Sequence, residues 1–438
     1  MSISIGIRHE DKYLMETRAP LTPRHVKWLV NHQKLDIVIQ TSEKRVFKDE
    51  EFIKSGAKIA KDLKKCEVIF GVKEIPINFF EKGKTYIFFS HVIKGQPANM
   101  PMLKRMMELG CNLIDYEKII DEQGKRLIFF GKYAGLAGMI NSFWSLGLRL
   151  KHFGNNSKLS KIKQAHRYHS LDEAKEDISY IGELIAENGI PHELRPFVIG
   201  FTGYGNVSQG AQEICGLVPV KEISPEKLLK LKHRKKIPDN IIYKVIFKEE
   251  HISEPIDENK EFDLQDYYTN PHLYKSVFEK YVPHLSMLIN CMYWDSRFPK
   301  LITKDYLKKL YSKGKPKLIV IGDISCDIDG SIESTIESTA IEKPIYIYNP
   351  LSEELKYGYE GEGILTMAVD ILPSELPRDS SNGFGDVLMS FVKPISIADY
   401  NLPYEELDLP RAIKKALILH NGELTPSFKY LEEHIKNL

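Results

Sequence analysis

Short apolar runs alternate with helical stretches from the first residues onward. Ser2 to Arg8 (SISIGIR) alternates apolar and polar positions, the period of a strand. LTPRHVKWLV then predicts a helix start, with Thr22 as its cap and Pro23 in its first turn. LDIVIQ, CEVIFGVK and TYIFFSH are short runs rich in β-branched and aromatic residues, typical of buried strands. Strands alternating with helices predict a parallel sheet covered on both faces. Residues 1–130 therefore predict one α/β domain.

The pattern then changes. Residues 131–152 (GKYAGLAGMINSFWSLGLRLKH) predict a long helix whose glycines and alanines let it pack close against other backbone. Residues 155–192 are polar and helical in pattern, with no strand. PFVIGFTGYGNVSQGAQEICG opens a second α/β unit, with PVKEIS as its second strand and LSMLINCMYW and KLIVIGDIS as later ones. The strongly charged stretch 224–275 predicts a surface excursion. Beyond Asp327 the strands shorten, prolines increase, and a final helix is expected near 427–438. The fold class is α/β: two Rossmann-like, doubly wound parallel-sheet domains separated by a cleft.

Composition narrows the function classes. Hydrophobic residues make up 42% of the 438, enough for two large cores. With 61 Lys+Arg against 60 Asp+Glu, no net field draws in nucleic acid or anionic lipid. Neither partner is expected. Cys66, Cys111, Cys215, Cys291 and Cys326 are scattered and form no CxxC pair, so neither a disulfide framework nor a metal site is expected. The first residues lack the basic and apolar regions of a signal peptide. No run reaches the roughly 18 apolar residues of a membrane span. The expected location is the cytoplasm.

The clearest chemical signal is FVIGF–Thr202-Gly203-Tyr204-Gly205–NVSQGAQEI. A strand that turns tightly into a helix offers unpaired backbone N–H groups to a dinucleotide's phosphates, and glycine keeps side chains out of the way. A third glycine would fall at 208, where Ser208 stands; Gly210 and Ala211 are small enough to serve the close helix–sheet contact instead. The residues alone also admit a plain glycine-rich turn that binds nothing. Glu222 has the spacing of an acid that holds an NAD ribose, whereas Lys221, Lys227 and His233-Arg234-Lys235-Lys236 suit a 2′-phosphate.

Two ionisable groups end strands of the first domain: Lys73 after IFGV and His91 after YIFFS. Ligands of parallel α/β sheets bind beyond the carboxyl ends of strands, so both groups are placed to transfer protons in one cleft. The pattern equally admits a solvated lysine and a hydrogen-bonded core histidine. Arg18, just before a helix start, is a candidate to grip a carboxylate. Lys94 and Glu117 follow nearby.

ETRAPLTP, GVKEIP, FFSHVIKGQ, LIDYEKIIDEQGKRLIFFG, YAGLAGMI, FTGYGNVSQGAQEI, LINCMYW, GDISCDIDGSIE and EGEGIL occur in that order. This series resembles the lysine–ketoglutarate reductase domain of the bifunctional aminoadipic semialdehyde synthases. More distantly it is similar to saccharopine dehydrogenase, alanine dehydrogenase and the nucleotide-binding subunit of transhydrogenase. The resemblance runs from Ile5 to about Tyr430.

It implies a substrate domain at 1–133, an NAD(P)-binding Rossmann domain at 134–326, and a segment at 327–438 that returns to the first domain. The implied reaction joins L-lysine to 2-oxoglutarate through an imine and reduces it to saccharopine, with NADP(H) favoured over NAD(H), or runs in reverse. The resemblance makes Lys73 and His91 proton-transfer groups and Arg18 a ligand for substrate carboxylate. Lys94 and Glu117 match positions lining that site. Gly203, Gly205, Asn206, Val207 and Ser208 match the pyrophosphate turn. Leu288, Ile289, Asn290 and Tyr293 match a loop over the nicotinamide, and Asp323 an acid near it. The bifunctional relatives carry a second enzyme beyond this domain, so one step is expected here, with a separate saccharopine-splitting dehydrogenase as partner. The alternatives are an amino-acid dehydrogenase of the alanine dehydrogenase type and a catalytically inert NAD(P)-binding regulatory protein.

Overall fold

The computed structural model describes residues 4–155, 157–231 and 237–436. Their chain divides into two compact units, Met1–Phe130 with Pro377–Leu438, and Gly131–Leu376. The strands, in order, are β1 (Ser4–Ile7), β2 (Asp36–Gln40), β3 (Lys58–Ala60), β4 (Val68–Phe70), β5 (Thr85–Phe88) and β6 (Asn112–Asp115) in the first unit. The second unit holds β7 (Val198–Thr202), β8 (Val220–Glu222), β9 (Ile242–Phe247), β10 (Ser253–Pro255), β11 (Tyr274–Ser276), β12 (Met287–Asn290), β13 (Val320–Asp323), β14 (Ile345–Asn349), β15 (Glu354–Tyr357) and β16 (Ile364–Met367). β17 (Leu417–His420) and β18 (Glu423–Leu424) complete the first unit.

The first sheet runs β3-β2-β1-β4-β5-β6-β17-β18. Its first six strands are mutually parallel, and β17 and β18 add an antiparallel edge. β1, β4 and β5 are buried on both faces, as strands under two helical layers must be. Helices Pro23–Gln33 and Pro377–Ile397 cover one face, with Val26, Leu29, Phe384 and Leu388 in its core. Met100–Glu108 covers the other, through Leu103 and Met106. The order reverses direction between β1 and β4, which is the switch point of a doubly wound sheet.

The second sheet runs β15-β14-β16-β13-β12-β7-β9-β8. β8, β9, β7, β12, β13 and β16 are parallel, and β14 and β15 form the antiparallel edge. The reversal here lies between β7 and β12. Helix Gly131–His152 packs on helix Asn206–Cys215 backbone to backbone: a Cβ on Gly135 would collide with the Val207 carbonyl, and one on Gly210 with that of Lys132.

Three sequence expectations change. The stretch 224–275 is no surface excursion, because it contains β9, which pairs with both β7 and β8. The chain re-enters the first unit at Pro377 rather than at 327, because 327–376 supplies β14 to β16 of the second sheet. The final helix is a 3-10 segment, Pro426–Leu431, followed by the single turn Glu432–Ile435.

Candidate active site and dinucleotide turn

In the first unit, the residues that leave β1, β4, β5 and β6 gather at the carboxyl edge of the sheet. Arg8 and Glu10 follow β1, Lys73 and Glu74 follow β4, Ser90 and His91 follow β5, and Glu117 follows β6. His91 adopts a left-handed backbone, φ +50°, and its carbonyl accepts from Asn99 Nδ2 at 3.1 Å. Its Nδ1 lies 2.7 Å from Glu74 Oε1, which also holds the Lys12 ammonium. Burial alone would raise the Glu74 carboxyl. Its hydrogen bonds to His91 and Lys12 outweigh that and hold it down at about 2. Glu74 is therefore an ionised acceptor at neutral pH, so His91 Nδ1 must carry the proton and Nε2 is the basic nitrogen.

Lys73 stands beside this pair. Its Nζ sits 5.8 Å from the centre of the Tyr13 ring, with Lys12 5.2 Å from the same ring. Glu16 is fully buried; desolvation raises its carboxyl, but Arg18 and then Lys73 pull it below the usual range. Arg18 is itself buried. Its Nε and Nη2 grip Glu16 at 2.7 and 2.5 Å, and its guanidinium lies 4.1 Å from the Phe130 ring centre. The expected carboxylate ligand thus already faces a carboxylate of its own chain. Lys94 is exposed. Glu117 pairs with Arg126. Asp115, buried at the end of β6, accepts the Ser90 N–H at 3.0 Å and the Ser90 hydroxyl, which ties the ends of β5 and β6 together.

The sequence reading missed Glu74, Glu16 and Glu10. Glu74 stood inside the quoted GVKEIP, but its partner is 17 residues away and only the β4–β5 register joins them.

In the second unit, Gly203 leaves β7 at φ +80°, a conformation that favours glycine. A Cβ there would meet Met292 Cα at 3.1 Å. Gly205 begins helix Asn206–Cys215, and no side chain caps it. The first-turn N–H groups of Asn206, Val207 and Ser208 are the ones a helix leaves without intrahelical partners. A Cβ on Gly205 would enter open space. That gap and those donors fit a diphosphate at this turn. Ser208, in the third glycine's place, is fully buried, and its hydroxyl accepts from Gln212 at 2.9 Å. Gly210 makes the close approach, to the Gly131–His152 helix rather than to the sheet.

Leu288, Ile289 and Asn290 are not loop residues. They form β12, and the two apolar side chains are fully buried in the core. Asn290 accepts from Thr202 Oγ1 at 2.6 Å and donates to Asp323 at 2.9 Å; Asp323 also accepts from Thr335 at 2.6 Å. This buried chain stitches the carboxyl ends of β7, β12 and β13. Burial raises the Asp323 carboxyl despite its hydrogen bonds. Tyr293, beyond β12, is 71% exposed. Glu222 ends β8 and pairs with Lys244 at 2.8 Å. Lys221 and Lys227 are exposed, and residues 233–236 lie outside the described residues. The five cysteines are unpaired. Among the described residues no cluster could hold a metal ion, and no helix is long and apolar enough to cross a membrane.

Comparison with known proteins agrees with this architecture. Residues 6–137 match the N-terminal domain of alanine dehydrogenase/PNT, and 256–427 match its C-terminal domain. An alpha-aminoadipic semialdehyde synthase of Arabidopsis thaliana is 39% identical over 98% of this chain, which spans 41% of that protein's length. A saccharopine dehydrogenase [NAD(+), L-lysine-forming] of Emericella nidulans is 25% identical over 89% of this chain and 91% of its own. Among solved structures, an L-alanine dehydrogenase superposes with a TM-score of 0.61 over 99% of this chain and all of its own, at 18% identity, a likeness of fold. With both domains matched in order and homology to the semialdehyde synthases over nearly all its length, the chain belongs to the alanine dehydrogenase/PNT superfamily.

Proposed function

We propose that the protein is an oxidoreductase acting on a CH–NH bond. It condenses L-lysine with 2-oxoglutarate and reduces the imine to saccharopine, or runs the reverse. The observation that carries this reading is the His91–Glu74 pair beside Lys73 at the switch point of the first sheet. A nicotinamide cofactor at the Gly203–Ser208 turn would supply the hydride. The chain's own groups move protons. The lysine ε-ammonium must lose a proton before its nitrogen adds to the ketone, and the carbinolamine oxygen must gain one before water leaves. His91 Nε2 and Lys73 Nζ are the two titratable groups for these transfers. Glu74 fixes the imidazole's tautomer and orientation, the role a carboxylate plays behind a catalytic histidine. 2-Oxoglutarate brings two carboxylates, for which Arg18, Arg8 and Lys12 are the nearby cations.

For the cofactor we favour NADP(H) over NAD(H). Glu222, the acid at the end of the second strand, is engaged by Lys244, and Lys221 and Lys227 are free to meet a 2′-phosphate. Asp323, Asn290 and Tyr293 border the nicotinamide end, the first two from the strand ends. Lys94 and Glu117 line the substrate side. The domain at 1–130 with 377–438 carries the substrate groups, and 131–376 binds the dinucleotide. We place the enzyme in the cytoplasm, with a separate saccharopine-splitting dehydrogenase to consume its product. The test is a two-substrate assay with each cofactor in turn. L-Lysine and 2-oxoglutarate together, and neither alone, should oxidise NADPH. Turnover with ammonia and pyruvate instead, or with no amine–keto acid pair, overturns the reading.

A further inference from the structure

Glu10 lies three residues beyond β1 and is 3% exposed. Its two carboxylate oxygens accept consecutive backbone N–H groups across the switch point: Val72 to Oε1 at 2.8 Å and Lys73 to Oε2 at 2.9 Å. The backbone held in this way carries Lys73 and, one residue on, Glu74, which in turn orients His91. One buried side chain therefore fixes the peptide that bears both proton-transfer groups' supports.

We propose that Glu10 is a positioning residue of the Lys73–His91 site, acting as a two-pronged clamp on the turn after β4. The inference rests on the functional reading above and deepens it. Both oxygens are needed as acceptors. A carboxylate offers that; a carboxylic acid turns one oxygen into a donor and leaves one N–H opposed. The surroundings set the balance between the two forms. Burial raises the Glu10 carboxyl to about 7, against the lowering by Arg8 and the two N–H groups, with Glu16 raising it further. Arg8 and Glu16 face it from the chain after β1, the Lys73 backbone from the turn after β4, and Tyr116 from the end of β6, where Glu10 helps raise the phenol. The clamp therefore closes as pH rises through neutrality and opens below it.

The test uses the full chain with Glu10→Gln, which keeps the shape but replaces one acceptor by a donor, and Glu10→Asp, which keeps the charge but shortens the reach. Two readouts separate this proposal from the functional one. In the lysine and 2-oxoglutarate assay, Glu10→Gln should lower kcat by on the order of 10- to 100-fold, the cost of a misplaced group. KM should change far less. Glu10→Asp should recover part of kcat. Independently of turnover, the rate at which trinitrobenzenesulfonate modifies Lys73, read by peptide mass spectrometry against exposed Lys94, should lose its inflection near neutrality in Glu10→Gln. An unchanged Lys73 profile in a folded Glu10→Gln variant overturns the clamp, as does an unchanged kcat. If Glu10→Gln does not fold, Glu10→Asp decides by the same labelling profile. A wild-type protein that turns over no lysine and 2-oxoglutarate sinks the functional reading, and the labelling result still decides for Glu10.

Discussion

Replacing Glu74 by Gln tests whether its charge, rather than its shape, holds the site together. In the folded chain the Glu74 carboxyl is drawn from 4.5 down to about 2. That is a difference of about 2.5 pK units, or roughly 3 kcal/mol at about 1.4 kcal/mol per unit. Its partners Lys12 and His91 are 33% and 35% exposed, so solvent screening reduces this to about 2 kcal/mol. The sign follows from the direction of the shift. A carboxyl depressed on folding contributes stability above its unfolded value and loses it as pH falls toward the folded one. Urea denaturation at pH 7 should therefore find Glu74→Gln less stable by about 2 kcal/mol, with the deficit shrinking as pH falls from 4.5 toward 2. Glu10 supplies a control of opposite sign. Its carboxyl is raised, so its contribution is present below 4.5 and lost as pH rises through about 7. The stability of wild type relative to Glu10→Gln should fall across that window. A Glu74→Gln deficit of equal size at pH 7 and pH 3 would refute the argument, because packing, unlike charge, does not titrate.

Lys73→Met and His91→Asn should each lower kcat by on the order of 10²- to 10⁴-fold in the lysine and 2-oxoglutarate assay, as loss of a proton-transfer group does. Near-wild-type turnover in either variant would remove that residue from the mechanism. Gly203→Val places a branched side chain at φ +80° against Met292. Dinucleotide binding by calorimetry should fall at least tenfold, while urea stability of the first unit, read by Trp28 fluorescence in a Trp144→Phe, Trp294→Phe background, should not change. Arg149 is buried and donates to the carbonyls of Tyr359, Gly361 and Gly363 at 2.7, 2.7 and 2.9 Å. Arg149→Met should destabilise the protein by about 2–5 kcal/mol by stranding those acceptors, and should loosen the EGEGIL loop to proteolysis at pH 7. Stability within 0.5 kcal/mol of wild type, the range of a plain surface change, would contradict that role for Arg149.

The plainest strands in the sequence are runs of consecutive apolar residues. VIF, TYIF and VIGFT are fully buried because helices cover both faces of their sheets, and DIVIQ is legible through Ile37-Val38-Ile39, between the polar Asp36 and Gln40. β9 escaped detection because IYKVIF sits in a charged stretch and carries Lys244. That ammonium is kept within the sheet's rim by Gln212 at 3.1 Å and by Glu222. The helix Pro377–Ile397 was equally hidden. Its sequence holds Gly383, Gly385 and Pro394, all poor helix formers, and Gly385 is there for contact, since a Cβ would strike the His25 ring. Missing that helix moved the expected domain boundary back to 327, where only the change to short antiparallel strands is visible. Lys73 and His91 were legible because strand ends announce themselves. Glu10 and Glu74 were not, because their partners are chosen by strand order, and β1 meets β4 across 60 residues of intervening chain; Glu16 grips Arg18 only two residues on, but nothing in the run METR marks it as that arginine's partner.

The two switch points differ in what they offer a ligand, and the residues after the first strand of each decide how. After β7 come Gly203 and Gly205, so what faces outward is backbone N–H and vacant space, suited to a diphosphate. After β1 come Arg8, His9, Glu10, Asp11 and Lys12, with no glycine before Arg18. A phosphate cradle cannot form there, since side chains fill the approach and Glu10 already consumes the N–H groups of Val72 and Lys73. What that edge offers instead is a set of fixed, mutually paired charges: Glu74 with Lys12 and His91, Glu16 with Arg18. Such a set holds its shape without a ligand. In the proposed reaction such a set would exchange protons with a substrate at little cost in reorganisation, because these charges already have partners within the chain. Dinucleotide binding should therefore map to the second unit, and loss of it in Gly203→Val should leave the Lys73 labelling profile of the first unit as it is in the wild type.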